Sequence, residues 1–341
     1  MRHGIKRWIT RFRFHRYKCQ NCGATFNPEE IGHNRSQYGP ELLAYALYQN
    51  VGLRLPQESV DRSLNRIFGL SLPRATTCRF KEMAAKAYEK TYNDLIEKLC
   101  RGQLLHIDET KVSVKGDNGY VWILANQDEV AYIYRETREG EWLQILLKDF
   151  KGVLVSDFYP AYDGIQCQQQ KCLIHLIRDL NDDILKHPYD EELKGLALAF
   201  ARLVKPMIDT VDRHGLKSRF LGKHLLSVRR FYKQLSNMHL HSEMAEKLKD
   251  RFTRNEHKLF TFLKFDGVPW NNNNAEHAVK AFATLRQIIG GVTTAKGISD
   301  YMILLSICET CIYRKLDFLD FLRSREKSIA VFASKHLIKT T

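Results

Sequence analysis

The stretch from Gln103 to Asp157 decides what this chain can fold into, because it is the long passage that reads as strands in a sequence that otherwise reads mostly as helices. Apolar side chains alternate or cluster in Gln103-Leu-Leu-His-Ile-Asp108, Lys111-Val-Ser-Val-Lys115, Tyr120-Val-Trp-Ile-Leu and Glu129-Val-Ala-Tyr-Ile-Tyr-Arg135. The turn residues Gly116-Asp-Asn-Gly119 part the second run from the third. These runs supply three hairpin-compatible strands. A helix over Glu141 to Asp149 and a further strand at Gly152-Val-Leu-Val-Ser-Asp157 complete the order βββαβ, which predicts an α/β fold built on one mixed sheet.

The flanks divide the rest. Residues 1–35 alternate basic and aromatic side chains, as in Arg11-Phe-Arg-Phe-His-Arg-Tyr-Lys, before Cys19-Gln-Asn-Cys22-Gly. That spacing suits a zinc knuckle, with Gly23 allowing the tight turn, and it equally suits two ordinary thiols. A closed zinc site needs four ligands; His3 and His15 are candidates, and the stretch looks like the second half of a zinc ribbon whose first half is absent. Residues 36–100 read as helices that start at Pro40 and Pro56, then a link at Gly69-Leu-Ser-Leu-Pro73, then a long helix towards Cys100. Helix, glycine-containing turn and a helix opening on Arg74, Thr76, Thr77 and Arg79 match a helix-turn-helix that meets DNA, or a plain helical hairpin. Residues 101–175 are the first part of the sheet core and 176–268 a charged helical insertion. Residues 269–341 hold a helix at 275–288, a loop around Gly290 and two closing helices.

Charge points to the partner. Lys and Arg number 53 against 39 Asp and Glu, a net +14, which favours a polyanion: nucleic acid or an anionic membrane. No run of 18 apolar residues occurs and the N-terminus has no signal-like apolar core, so the expectation is a soluble, cytoplasmic protein bound to nucleic acid, without a membrane. The eight cysteines are too scattered for a disulfide framework, and Cys308 and Cys311 fall one helical turn apart in an apolar run, as core residues do.

Three acids carry the candidate chemistry. Asp108 and Asp157 each end an apolar strand, where loops open a sheet to solvent, and hard oxygen donors there suit Mg²⁺ or Mn²⁺. An Asp after a strand is also a common turn residue. Glu109 should face the opposite side of its strand. Glu276 follows four asparagines that favour a turn and N-cap, and lies in the first turn of a helix. Lys280 and Arg286 fall near one face of that helix, placed for phosphate oxygens or for solvent. Cys172 and His175 stand one helical turn apart, as supporters of the site or as buried core residues. Asp163, Asp266, Asp300 and Glu309 are further acids to be placed.

Taken in order, Asp108-Glu-Thr, Ser156-Asp157-Phe-Tyr-Pro-Ala-Tyr-Asp163, Cys172-x-x-His175 and Asn272-Asn-Asn-Ala-Glu276 resemble the DDE transposases of the insertion sequence 66 family. Tyr38-Gly-Pro-Glu-Leu-Leu and Arg54-Leu-Pro-Gln-Glu-Ser-Val are similar to that family's helical DNA-binding segment, so the resemblance covers nearly the whole chain. It implies an RNase H-like core whose start is the βββαβ order, in which Asp108, Asp157 and Glu276 bind two Mg²⁺ or Mn²⁺ ions and activate water, then a 3′-hydroxyl, for in-line attack on a phosphodiester. Cutting at element ends and joining to a target follow, by a dimer or larger assembly at a prokaryotic nucleoid. A family zinc ribbon would place Zn²⁺ at Cys19 and Cys22, and its missing half makes the N-terminus look shortened. The alternatives are a transposase-derived DNA-binding protein without transposition activity, or another RNase H-like nuclease.

Overall fold

The computed structural model describes residues 8–11, 13, 15–26, 38–73, 75–289 and 293–337. Arg74, His3 and the loop at Gly290 lie outside them. Strands β1 (Tyr17–Lys18) and β2 (Thr25–Phe26) pair antiparallel around the Cys19–Cys22 turn, with Gly23 at φ 72° where a side chain would be strained. Helix α1 (Pro40–Leu47) starts on its proline, as expected, and runs into a π-helical turn at Tyr48–Gly52. Helix α2 (Gln57–Phe68) ends at Gly69 in the left-handed conformation, and α3 (Thr76–Cys100) follows.

The sheet strands are β3 (Leu104–Val114), β4 (Asp117–Ala125), β5 (Val130–Arg135), β6 (Val153–Ser156) and β7 (Gln168–Lys171). Helix α4 (Glu141–Leu146) lies between β5 and β6 and is shorter than the expected Glu141 to Asp149. The order across the sheet is β5-β4-β3-β6-β7; β3, β4 and β5 are antiparallel, while β6 and β7 run parallel to β3. This contains the expected βββαβ and adds a fifth strand. The runs at 103–108 and 111–115 are one eleven-residue strand, so Asp108 lies inside β3 and not at its end. Backbone pairing to β4 continues through Asp108, Glu109 and Thr110, which is why the polar residues did not break the strand.

Insertion helices follow: α5 (Leu173–Lys186), α6 (Glu191–His214), α7 (Ser218–Leu221), α8 (Leu225–Ser236), α9 (Glu243–Arg254) and α10 (Glu256–Leu259). Helix α11 (Asn273–Ile289) returns to the sheet, and α12 (Ala295–Tyr313), α13 (Phe318–Ser324) and α14 (Ile329–Leu337) close the described chain. Three helices therefore follow the loop where two were expected. Arg325 in the left-handed conformation stops α13 and separates it from α14.

Side-chain alternation gives the sheet two different faces. Leu105, Ile107, Trp122, Leu124, Ala131 and Leu154 pack on one side with α4 residues and Leu99 of α3. The other side is divided between two clusters. Val112, Val114, Val121, Ile123 and Tyr132 pack under α3, α11 and α12, whereas Val153 and Val155 pack under α5 and the insertion. Helix α3 belongs to the sheet's own core: Ala84, Ala85, Tyr88 and Leu95 are buried there, and the Tyr92 hydroxyl donates to the Tyr132 carbonyl at 2.7 Å. Cys308 and Cys311 are buried in the same cluster, as their spacing predicted.

A candidate carboxylate site at the seam of two cores

Strand register brings the first two acids together. Leu104, Leu105 and His106 pair with Val153, Leu154 and Val155 in parallel, so two residues further on Asp108 and Asp157 stand at matching positions. Adjacent strands are about 4.8 Å apart and residues of equal register share a face. Strand β6 stops at Ser156 while β3 continues, which opens the notch that a strand end was expected to provide. The face is the divided one, and the acids lie where it passes from one hydrophobic cluster to the other.

Backbone amides fix both carboxylates. The Glu109 amide donates to Asp108 Oδ1 at 2.8 Å, and the Tyr159 amide donates to Asp157 Oδ1 at 2.9 Å. Glu276 arrives on the first turn of α11, and the asparagines before it attach that helix to the sheet. Asn272 is fully buried; its Nδ2 donates to the Ile107 carbonyl at 2.9 Å and its Oδ1 lies 2.9 Å from His106 Nδ1. Asn274 Nδ2 donates to the Asn126 carbonyl at 2.6 Å, while its Oδ1 accepts from the Tyr313 hydroxyl at 2.8 Å.

The electrostatics show that the acids share one environment. Burial first, then the charges of Asp157, Glu109 and Glu276, push the Asp108 carboxyl up to about 7. The three carboxylates stay looser than a tight chelate: among the described residues, the group whose ligand atoms all lie within 4.8 Å is Cys172, His175 and Glu276. Cys172 caps the start of α5 and is buried; its amide donates to the Ser156 carbonyl at 2.8 Å, so α5 begins beside Asp157. His175 Nδ1 is 3.7 Å from Glu276 Oε1.

The other expected residues separate clearly. Glu109 does face the opposite side, where it accepts from Arg138 Nε at 3.0 Å and from the Tyr162 hydroxyl. Thr76 and Thr77, expected to meet DNA, are buried, and the Thr77 hydroxyl donates to the buried Asp61 on α2, whereas Arg79 is exposed. The first turn of α3 turns its small polar residues inward to pack on α2, which the helix-turn-helix pattern alone does not reveal. Lys280 is exposed, and Arg286 Nη1 donates to Thr110 Oγ1 at 3.0 Å and to the Lys111 carbonyl at 3.1 Å. Cys19 is partly covered and Cys22 exposed; among the described residues no third ligand joins them. The spare acids are engaged elsewhere, Asp163 with Lys171 and Lys258, Asp266 with Ser218, Asp300 with Lys296, Glu309 with Arg54.

Two residues near the site had not been singled out. His106 lies two positions before Asp108 on the same strand face, and burial lowers its imidazole to about 4, so it is neutral at pH 7. Strand alternation from Asp108 would have found it. Lys171 is buried at the end of β7, 3.2 Å from Ser156 Oγ and 3.2 Å from Asp163 Oδ1, and no periodic signal marks it.

Residues 35–300 match the model of the family described as Transposase IS66 family. A protein of Sinorhizobium fredii (strain NBRC 101917 / NGR234), described as "Uncharacterized protein y4hP", is 23% identical over 343 residues, which take in 89% of this chain. The match spans 62% of that relative's length.

Proposed function

This chain belongs to the IS66 transposase family, and from that premise we propose that it cuts phosphodiester bonds at the ends of a DNA element and transfers the freed ends into target DNA, using Asp108, Asp157 and Glu276 as the acids of a DDE site in an RNase H-like core. The observation that supports the reading is the placement of the acids: strand register sets Asp108 beside Asp157 at the seam between two hydrophobic clusters, and the charges of Asp157 and Glu276 help to raise the Asp108 carboxyl.

The donor set fits a divalent cation. Half-buried carboxylates that repel one another lack a positive charge, and all-oxygen donors favour Mg²⁺ or Mn²⁺ over softer ions. Asp108, Asp157 and Glu276 would hold two such ions, whose chemistry is to lower the pKa of an attacking hydroxyl and to neutralise the leaving oxygen. The protein's part is positioning. The amides of Glu109 and Tyr159 set the two aspartates, and Asn272 and Asn274 set the helix that bears Glu276. Lys280, one turn beyond Glu276, would meet a phosphate oxygen, and Arg286, on the same helix and bonded to Thr110 of β3, would add a second positive charge. Arg74 and Arg79 would touch the double-stranded DNA as well. No helix among the described residues is long and apolar enough to cross a membrane. DNA as the partner, paired copies on two element ends, a place at the nucleoid in the prokaryotic cytoplasm and Zn²⁺ at Cys19 and Cys22 complete the proposal.

The test is cleavage of a duplex carrying the repeat that flanks the coding sequence, in Mg²⁺ or Mn²⁺. Wild type should nick the repeat end, and Asp108→Asn, Asp157→Asn and Glu276→Gln should each lose about a thousandfold or more in rate while keeping the wild-type circular dichroism spectrum. Equal rates for wild type and the variants would remove the mechanism.

A further inference from the structure

We propose that Cys172, His175 and Glu276 form a second cation site, suited to a zinc-class divalent ion and distinct in its donors from the all-oxygen site, with Glu276 common to both. One sulfur, one imidazole nitrogen and one carboxylate oxygen, from residues on the first turns of α5 and α11, lie within 4.8 Å of one another. Mixed sulfur, nitrogen and oxygen donors select zinc and its neighbours over Mg²⁺.

The geometry fits a cluster built around a central atom. His175 Nδ1 and Glu276 Oε1 are both shielded from solvent, and neither has a hydrogen-bond partner. An unpaired buried polar atom costs about 1–3 kcal/mol, so two of them facing each other need an explanation. Their separation, 3.7 Å, is too long for a charge-assisted hydrogen bond, which closes to about 2.8 Å. It is close to the edge of a zinc tetrahedron: bonds of about 2.0–2.2 Å to nitrogen and oxygen put those atoms about 3.4 Å apart.

The sulfur is prepared for the same role. Cys172 Sγ accepts a hydrogen bond from the Asn272 amide at 3.2 Å, with the amides of His175 and Ile174 turned to it as well. Three protein donors leave a fourth position for water. An ion there would clamp α5 to α11 and so fix the third acid relative to the insertion, adding to the Leu173 amide that donates to the Trp270 carbonyl at 2.9 Å.

The inference stands on the donor set, and its test separates it from the DNA reading. The full chain carrying Cys19→Ser and Cys22→Ser, stripped of metal, is titrated with Co²⁺ as a spectroscopic probe. One equivalent should give tetrahedral visible bands with a thiolate-to-cobalt charge-transfer band, displaced by Zn²⁺ and unmoved by excess Mg²⁺. Cys172→Ser should abolish the charge-transfer band, and His175→Ala should weaken binding more than about tenfold. Should Cys172→Ser fail to fold, the rise in melting temperature on adding Zn²⁺, present in the parent and lost in His175→Ala, gives the same answer. Absence of the thiolate band in the parent, or a band that survives Cys172→Ser, overturns the site. Cleavage in Mg²⁺ is followed on the same samples: cobalt binding without cleavage removes the DNA chemistry and keeps this site, and cleavage without the thiolate band does the reverse.

Discussion

Asp108 concentrates the electrostatic tension of the molecule in one residue. Its carboxyl is held up to about 7 in the metal-free protein, so the folded state keeps a proton that the unfolded chain gives up near pH 4. A raised carboxyl stabilises the fold fully below the ordinary carboxylate range and loses that contribution as pH rises through about 7. Denaturation in a chelator should therefore show wild type losing on the order of 2 kcal/mol between pH 5 and pH 8 relative to Asp108→Asn, a shift of this size being discounted for partial solvent screening. Millimolar Mg²⁺ at pH 8 should restore most of it to wild type and little to the variant. Parallel pH profiles for the two proteins would mean that Asp108 is not under the strain described. At this scale the sequence was legible where strand alternation applied: Glu109 faces away from Asp108 as expected. It was not legible at Thr76 and Thr77, because helical spacing does not say which neighbour a polar side chain will pack against, and α2 offered the buried Asp61 as a partner.

Elements show the same division between local and distant causes. The helix start at Pro40 was readable because a proline acts on its own backbone, whereas α11 begins at Asn273, two residues before the expected 275, so the last two asparagines lie inside the helix. Strand β7 was not readable, since Gln168-Gln-Gln-Lys has no apolar period; Gln169 and Gln170 are buried there because Gln169 donates to the Tyr162 and Ile165 carbonyls and Gln170 to the Leu259 carbonyl, partners that only the folded chain supplies. The asparagine run ties the helix to the sheet. Asn272 holds α11 to β3 through Ile107 and His106, so Asn272→Ala leaves a buried carbonyl and a buried imidazole without partners. A loss of about 1–3 kcal/mol should appear in chemical denaturation, together with a fall in cleavage rate of more than about tenfold, as Glu276 loses its fixed position. A destabilised variant that cleaves at the wild-type rate would show that the asparagine serves stability alone.

Across the whole molecule, two hydrophobic clusters share one face of the sheet and the acids occupy the gap between them. That arrangement depends on α11 returning to the sheet after the insertion, a contact between residues far apart in sequence, and for this reason Glu276 could be chosen only through its family-like setting. The surplus of basic side chains raises a complementary question, because a chain of net +14 that gathers carboxylates at its centre must present its cations around them. A duplex drawn to such a surface displaces counterions, and its affinity falls with salt at a slope of about −0.9 for each phosphate neutralised. With six to ten phosphate contacts, binding measured by fluorescence anisotropy should weaken by roughly 10³–10⁵ between 50 and 200 mM salt. Lys280→Ala and Arg79→Ala should each reduce the slope by about one and lower affinity alike for element-end and unrelated duplexes, since a phosphate contact carries no sequence. Asp108→Asn should leave the slope close to its wild-type value. Affinity that does not change with salt would mean the positive charge serves something other than a nucleic-acid backbone.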